Sequence, residues 1–242
     1  MIELHPVTGL PEVEPGADLA ALIAERAELR DGDIVVVAQK VVSKAEGRLR
    51  DMRTIEPSEQ AREIARRNGS DPRQVQAVID ESVRLVRTER VIIAETRHGF
   101  VCANAGVDHS NVPGGEILCL LPVDPDASAA GLRRRLLELT ARTVAVIVSD
   151  TFGRAWRIGI ANVALGVAGM PAVIDYRGQD DDFGRTMVGT VVAVTDELAA
   201  AAELAMGKTD RVPVVVIRGY RAEGEPGNGR SLVRPSAEDM FR

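Results

Sequence analysis

Residues 143–159, TVAVIVSDTFGRAWRIG, place the tightest limit on what this chain can fold into. From Val144 to Val148 every position is apolar, and side chains stiffened by branching at Cβ suit a strand covered on both faces. Such a strand needs packed layers above and below it. The run stops at Ser149, Asp150 and Thr151, with Gly153, Arg154 and Arg157 directly after. A carboxylate and a hydroxyl are hard oxygen ligands, a glycine lets backbone approach a ligand, and guanidinium forks match phosphate oxygens. The expectation is a buried strand that ends in a metal and phosphate site. A strand ending in an ordinary Asp/Ser/Thr turn with solvated arginines accounts for the same letters.

With 242 residues and 45% hydrophobic content the chain can bury a large core, as a single unit over residues 1–242 or as two intimately joined α+β lobes. A net charge of -6 argues against a general electrostatic footprint for nucleic acid. Cys102 and Cys119 are the only cysteines and lack C-x-x-C spacing, so neither a disulfide framework nor a cysteine zinc site is indicated. His5, His98 and His109 are too scattered for a zinc centre. The N-terminal residues carry no basic-then-apolar signal pattern, and no apolar run approaches a membrane span. A cytoplasmic setting is expected, with no membrane partner.

Along the chain, residues 2–4 read as a short strand, residues 5–12 as an ordered Pro/Gly loop, and residues 18–29 as a helix. Residues 34–38 repeat the continuous apolar pattern and run into Gln39 and Lys40, where a polar loop is expected. Two buried strands ending in polar loops mark where open α/β sheets place ligands. No G-x-x-x-x-G-K-[ST] motif follows. Ser58 and Asp71-Pro72 mark two helix starts with Asn68-Gly69 as the stop between them. Residues 91–94 and 100–103 read as a strand pair turning at Arg97-His98-Gly99, and residues 118–121 as a strand. Residues 126–139 read as an amphipathic helix. Small apolar residues at 161–168 predict a buried helix or a subunit contact. Residues 187–194 read as a strand, 197–206 as a helix, 212–217 as a last buried strand, and a short helix is expected near 237–241. Asp180-Asp181-Asp182 suits a solvated turn better than a cation.

Residues 104–115 form the second informative stretch. Asp108, Ser110 and Asn111 crowd three oxygen-bearing side chains into four positions between glycines, which suits a metal or a nucleotide phosphate. Taken alone, the loop fits an Asx turn leading into a glycine-rich stretch slightly better. The acidic ladder and closing Glu of an EF-hand are missing.

Together the segments PVTGLPEVEPGADL, DGDIVVVAQKVVSKAEGR, ANAGVDHSNV, LLPVDPDASA and VSDTFGRAWRIG resemble the coenzyme F420-0:L-glutamate ligase, or gamma-glutamyl ligase, family. The likeness is greatest to its actinobacterial form, whose longer members add a C-terminal flavin-reductase-like domain; no such domain is expected within these 242 residues. The resemblance implies an α+β, mixed-sheet fold specific to the family and an intertwined homodimer. It implies GTP-dependent addition of L-glutamate to the lactyl carboxylate of the F420 precursor, then a gamma-linked tail, with two divalent ions, Mg or Mn, and a potassium ion. By position, GTP contacts fall on Leu10, Pro11, Glu12, Val13, Gln39, Lys44 and Asn111, and metal ligands on Asp108, Asp150 and Thr151. Gln39 departs from the Ser or Thr usual there. Our own reading adds Arg154 and Arg157 as catalytic groups offsetting phosphate charge. A metal-dependent phosphohydrolase and a non-catalytic nucleotide-binding module remain the alternatives, although the D-x-D motif of a haloacid-dehalogenase nucleophile is absent.

Overall fold

A computed structural model describes residues 1–110, 114–221 and 223–239. The chain opens with β1 (Glu3–Pro6), α1 (Leu19–Ala24), β2 (Ile34–Ala38) and α2 (Gln39–Ala45). A middle section follows with β3 (Leu49–Asp51), α3 (Glu59–Asn68), α4 (Pro72–Asp80), β4 (Ser82–Arg87), β5 (Ile93–Thr96), β6 (Val101–Ala103) and β7 (Ile117–Cys119). It closes with α5 (Pro125–Thr140), β8 (Ala145–Gly153), β9 (Ile160–Ala168), β10 (Ile174–Asp175), β11 (Val191–Val192), α6 (Val194–Met206) and β12 (Val214–Arg218). The architecture is α+β with a mixed sheet.

The main sheet runs β1-β12-β2-β8-β9, and only the β2–β8 pair is parallel. Its central strands are apolar at consecutive positions because both faces are covered. Val35, Val37, Val146, Val148, Val214 and Val216 join Leu19, Ile23, Ala129 and Leu136 on one side. On the other, Ile34, Val36, Ala145, Ile147, Val215 and Ile217 meet Leu198, Ala199, Ala202 and Met206 of α6. A further core gathers Ile64, Val75, Val78, Ile92, Leu118 and Leu120 from the middle section.

Several expectations change. Residues 39–45 are helical rather than a loop, starting directly from the last residue of β2. No side chain caps that start and two β-branched residues sit inside it, so the start signal is weak. Residues 161–168 are not a helix but most of β9, an edge strand. Its small residues serve α5, since a Cβ on Gly166 would lie 2.0 Å from the carbonyl oxygen of Pro125. Strand β8 does not stop at Ser149: it continues through Asp150, Thr151 and Phe152 to Gly153, which pairs with Ile160. Cross-strand pairing over its full length overrides the polar letters, with Leu165 as the extra residue of a bulge between Val148 and Ser149 on the partner side. Only Val191–Val192 of the strand expected at 187–194 forms, and β3 and β4 form where the sequence reading named no strand.

The exposed edge of β9 is closed by carboxylates. The backbone N–H groups of Asn162, Ala164 and Val167 donate to Glu203 Oε2 at 3.0 Å, Asp196 Oδ1 at 2.9 Å and Asp126 Oδ1 at 2.8 Å. Donors that would otherwise recruit another strand are thereby satisfied. Asp126 Oδ1 also accepts from Gly229 N at 2.7 Å and so fastens the C-terminal segment to the sheet.

Candidate functional site

The parallel pair aligns the C-terminal ends of β2 and β8, with Ala38 beside Ser149. From there α2 turns its first residues toward Asp150, and β7 brings the loop carrying Asp108. The Asp108 backbone is held by two hydrogen bonds to Cys119, at 3.1 and 2.7 Å. Just upstream, Asn104, Ala105 and Gly106 all adopt positive φ of 52°, 52° and 72°, costing about 1 kcal/mol or more for each of the first two. A Cβ on Gly106 would come within 2.6 Å of Leu121. Strain and close packing thus aim the loop.

Lys40 Nζ donates to Asp108 Oδ2 at 2.7 Å and to Ser110 Oγ at 2.8 Å, while Ser110 N donates to Asp108 Oδ1 at 2.9 Å. Burial pushes the Asp108 carboxyl up, but Lys40 and Ser110 outweigh it and hold the group at about 2. Asp150 has the opposite balance. Burial raises it to about 6, with Asp108 adding to the rise, against the Thr151 N–H, Lys40 and Lys208. Two carboxylates and two ammonium groups therefore share one field. The neighbouring Cys102 thiol is pushed to about 12 by burial and then by Asp150.

Thr151 looks to the other face, as alternation along a strand requires. Its hydroxyl donates to Asn162 Oδ1 at 2.7 Å and accepts from Lys208 Nζ at 2.8 Å, and Lys208 is also paired with Glu203. Asp150 and the Thr151 hydroxyl do not converge on one point. Ser149, two positions before Thr151 on the same face of β8, has a buried hydroxyl with no hydrogen-bond partner among the described residues.

The nucleotide residues inferred by resemblance fall in two groups. Lys44 is buried and its ammonium is paired with Glu12, so α2 and residues 10–13 come together. Val13 is in the core, whereas Leu10 is only partly buried. Gln39 is buried, and its amide donates to Ser43 Oγ at 2.5 Å and to Leu120 O at 3.1 Å, which ties α2 to the end of β7. Asn111 lies outside the described residues. Arg154 and Arg157 lie exposed in the β8–β9 connection, away from the Lys40–Asp108 contact along the strand. Sequence reasoning missed Lys40 and Lys208 as members of the cluster. Lys40 had a usable signal, because it follows a buried strand by two positions; Lys208 is brought in only by the docking of α6.

No cluster of three or more His, Cys, Asp or Glu side chains suited to a metal occurs among the described residues. The pair Asp108 and Asp150 still fits a hard divalent cation, since Mg²⁺ is commonly held by one or two carboxylates together with phosphate oxygens and water. A carboxyl at Asp150 raised by burial and by Asp108 marks a site short of positive charge, and on the opposite face of β8 the Ser149 hydroxyl lacks a hydrogen-bond partner among the described residues. No helix among the described residues is long and apolar enough to cross a membrane.

Residues 9–219 match the family model described as F420-0:Gamma-glutamyl ligase. Over the whole chain the sequence is 47% identical to the coenzyme F420:L-glutamate ligase of Methanopyrus kandleri, covering 98% of that protein. It is 46% identical to the Archaeoglobus fulgidus protein of the same name, covering 96% of it, and 47% identical to that of Methanothermobacter thermautotrophicus, covering 99%. These matches, which carry the Asp108 and Asp150 segments within them, place the chain in the F420-0:gamma-glutamyl ligase family, a family of enzymes.

Proposed function

We propose that this enzyme uses GTP to join L-glutamate to the lactyl carboxylate of coenzyme F420-0 and then extends a gamma-linked polyglutamate tail, as part of coenzyme F420 biosynthesis. The names of its relatives support the ligase role. The observation that carries the site assignment is the shared field of Asp108, Asp150, Lys40 and Lys208 at the ends of the parallel strands.

An oxygen of the acceptor carboxylate attacks the γ-phosphorus of GTP, the bond to GDP breaks, and an acyl phosphate results. The glutamate amine then attacks the acyl carbon, the C–O bond breaks, phosphate leaves and the amine proton passes to solvent. Positioning and charge neutralisation dominate such phosphoryl transfers. Asp108 and Asp150 would hold one divalent ion, Mg or Mn, and Thr151 on the opposite face would serve a second; potassium is a further expected ion. When bound, such ions neutralise phosphate charge and orient it. Lys40 and Lys208 offset anionic charge on either side of β8. Lys44 and residues Leu10, Pro11, Glu12 and Val13, with Gln39 and Asn111, form the GTP side, the ammonium of Lys44 exchanging Glu12 for a phosphate oxygen. Arg154 and Arg157 close over the phosphates from the β8–β9 connection.

A cytoplasmic homodimer is part of this reading. Trp156 and Ile158 in the β8–β9 connection are 88% and 102% exposed, and Phe183 and Val188 in the β10–β11 connection 90% and 87%; large apolar side chains left exposed two and five positions apart on connections favour a protein partner. Light scattering should give a dimer at working concentration; a fully active monomer removes this element. For the reaction, GTP consumption is followed with F420-0 in the presence and absence of glutamate. Consumption that depends on both acceptors supports ligation, whereas equal consumption without glutamate assigns a phosphohydrolase and unchanged GTP assigns a binding module.

A further inference from the structure

A cavity of about 310 Å³ opens at the outer side of β9, lined by Phe100, Phe152, Val163, Leu232, Val233 and Arg234 among others. Its position relative to the reacting groups follows from two strands. On β8, Asp150 and Phe152 share a face, and on the neighbouring chain segment entering β6 so do Phe100 and Cys102. The rings of Phe100 and Phe152 meet edge to face at 6.3 Å and 75°, while the Cys102 thiol feels the Asp150 charge. The aromatic pair is therefore one strand repeat, about 7 Å, from Asp150.

The chain contains only four phenylalanines, and two of them line this one cavity. His98 stacks on Phe100 at 5.7 Å and 24° and is itself held by the carbonyl oxygens of Pro122 and Val123. The opposite wall is the C-terminal segment that Asp126 fastens through Gly229. Asp196 also lines the space, but its Oδ1 accepts from Ala164 N. Arg234 and Asp239 both line the space, and the Arg234 guanidinium is a group that can meet an anion. The GTP-side groups Glu12 and Lys44 lie instead where α2 meets residues 10–13.

We infer that this cavity holds the planar heteroaromatic ring of the acceptor, with Arg234 placed for its phosphodiester, so that the connecting chain returns the carboxylate to the Asp108–Asp150 site. The inference rests on the ligase reading above. Aromatic faces stack on planar rings, and a cavity walled by Phe100, Phe152, Val163, Leu232 and Val233 with a guanidinium in its lining suits a ring joined to a phosphodiester.

The test measures binding by fluorescence anisotropy of two probes: F420-0 itself, and the deazaflavin riboside that lacks the phospholactyl arm. Phe152→Leu should weaken both probes by roughly tenfold, equivalent to ~1.4 kcal/mol. Arg234→Gln should weaken F420-0 alone. Affinity for GTP should be unchanged in both variants. Unchanged F420-0 binding in Arg234→Gln and in a folded Phe152→Leu overturns the inference, as does a loss confined to GTP, which would make the cavity the nucleotide-base subsite. If Phe152→Leu does not fold, the selective loss in the rim variant decides alone. Product assays on the unaltered enzyme keep the two readings apart: cavity-dependent binding without glutamylated product removes the ligase reading and leaves the cavity assignment, and product formation with indifferent variants does the reverse.

Discussion

Asp108 and Asp150 face one field from two kinds of structure. The loop around Asp108 is satisfied in advance: Lys40 and Ser110 supply donors, and the carboxyl stays ionised down to about 2. The strand around Asp150 is left short of donors, and burial with the nearby Asp108 charge lifts its carboxyl to about 6. The loop carries backbone strain at Asn104 and Ala105 to hold its geometry, whereas β8 has its place fixed by pairing with β2 as far as Ser149 and with β9 at Asp150 itself. One half of the site is thus prepared as an anchored anion and the other as an unrelieved one. A cation would relieve the second far more than the first, and the comparison ranks the substitutions that disturb each half.

The largest expected effect is from Asp150→Asn. Ligation should fall by about a thousandfold or more, within the range seen when an electrostatic contact to reacting groups is lost, in steady-state assays at limiting magnesium. The same variant should be more stable than the unaltered chain in the metal-free state above pH 6. The sign follows from the raised carboxyl: the contribution favouring the fold is complete below its unfolded value of 3.8 and is lost as pH rises through about 6. Thermal denaturation of the metal-free protein should therefore show stability declining over that window by at most ~3 kcal/mol from this group, with the decline absent in Asp150→Asn.

Lys40→Met tests the prepared half. Removing the ammonium should raise the Asp108 carboxyl, lower ligation by roughly a hundredfold, and cost about 1–2 kcal/mol in chemical denaturation. Next in size is Lys44→Ala, which should weaken GTP use by more than about tenfold, because a lost contact between charged groups in a partly desolvated site costs about 2–5 kcal/mol. Its effect should appear in the KM for GTP and leave Asp108 untouched. Gly106→Ala is the smallest in chemistry and acts on stability: a Cβ facing Leu121 at 2.6 Å in a positive-φ position should cost about 1–3 kcal/mol. Wild-type stability in that variant would mean that the Asp108 loop is not held by close packing.

Much of this was legible in the letters, for identifiable reasons. The runs 34–38 and 144–148 announced strands covered on both faces because every position had to be apolar, and Asp108 and Asp150 stood out as acids following such elements. Helix α2 was hidden because Val41 and Val42 weaken its propensity and nothing caps its start. The extension of β8 past Ser149 was hidden because it depends on β9, whose small residues answer to α5 through Gly166 and to the carboxylates along its edge. Lys208 could not be found from its own neighbourhood, since only the packing of α6 carries it to Thr151.

The most direct measurement is mass spectrometry of the deazaflavin product after incubation with GTP, glutamate and magnesium, run in parallel on the unaltered enzyme, Asp150→Asn and Lys40→Met. The account predicts GTP-dependent glutamyl additions by the unaltered enzyme, none by Asp150→Asn, and slow but detectable addition by Lys40→Met. Equal glutamylation by Asp150→Asn, or GTP consumed by the unaltered enzyme with no mass added to the deazaflavin, would contradict it.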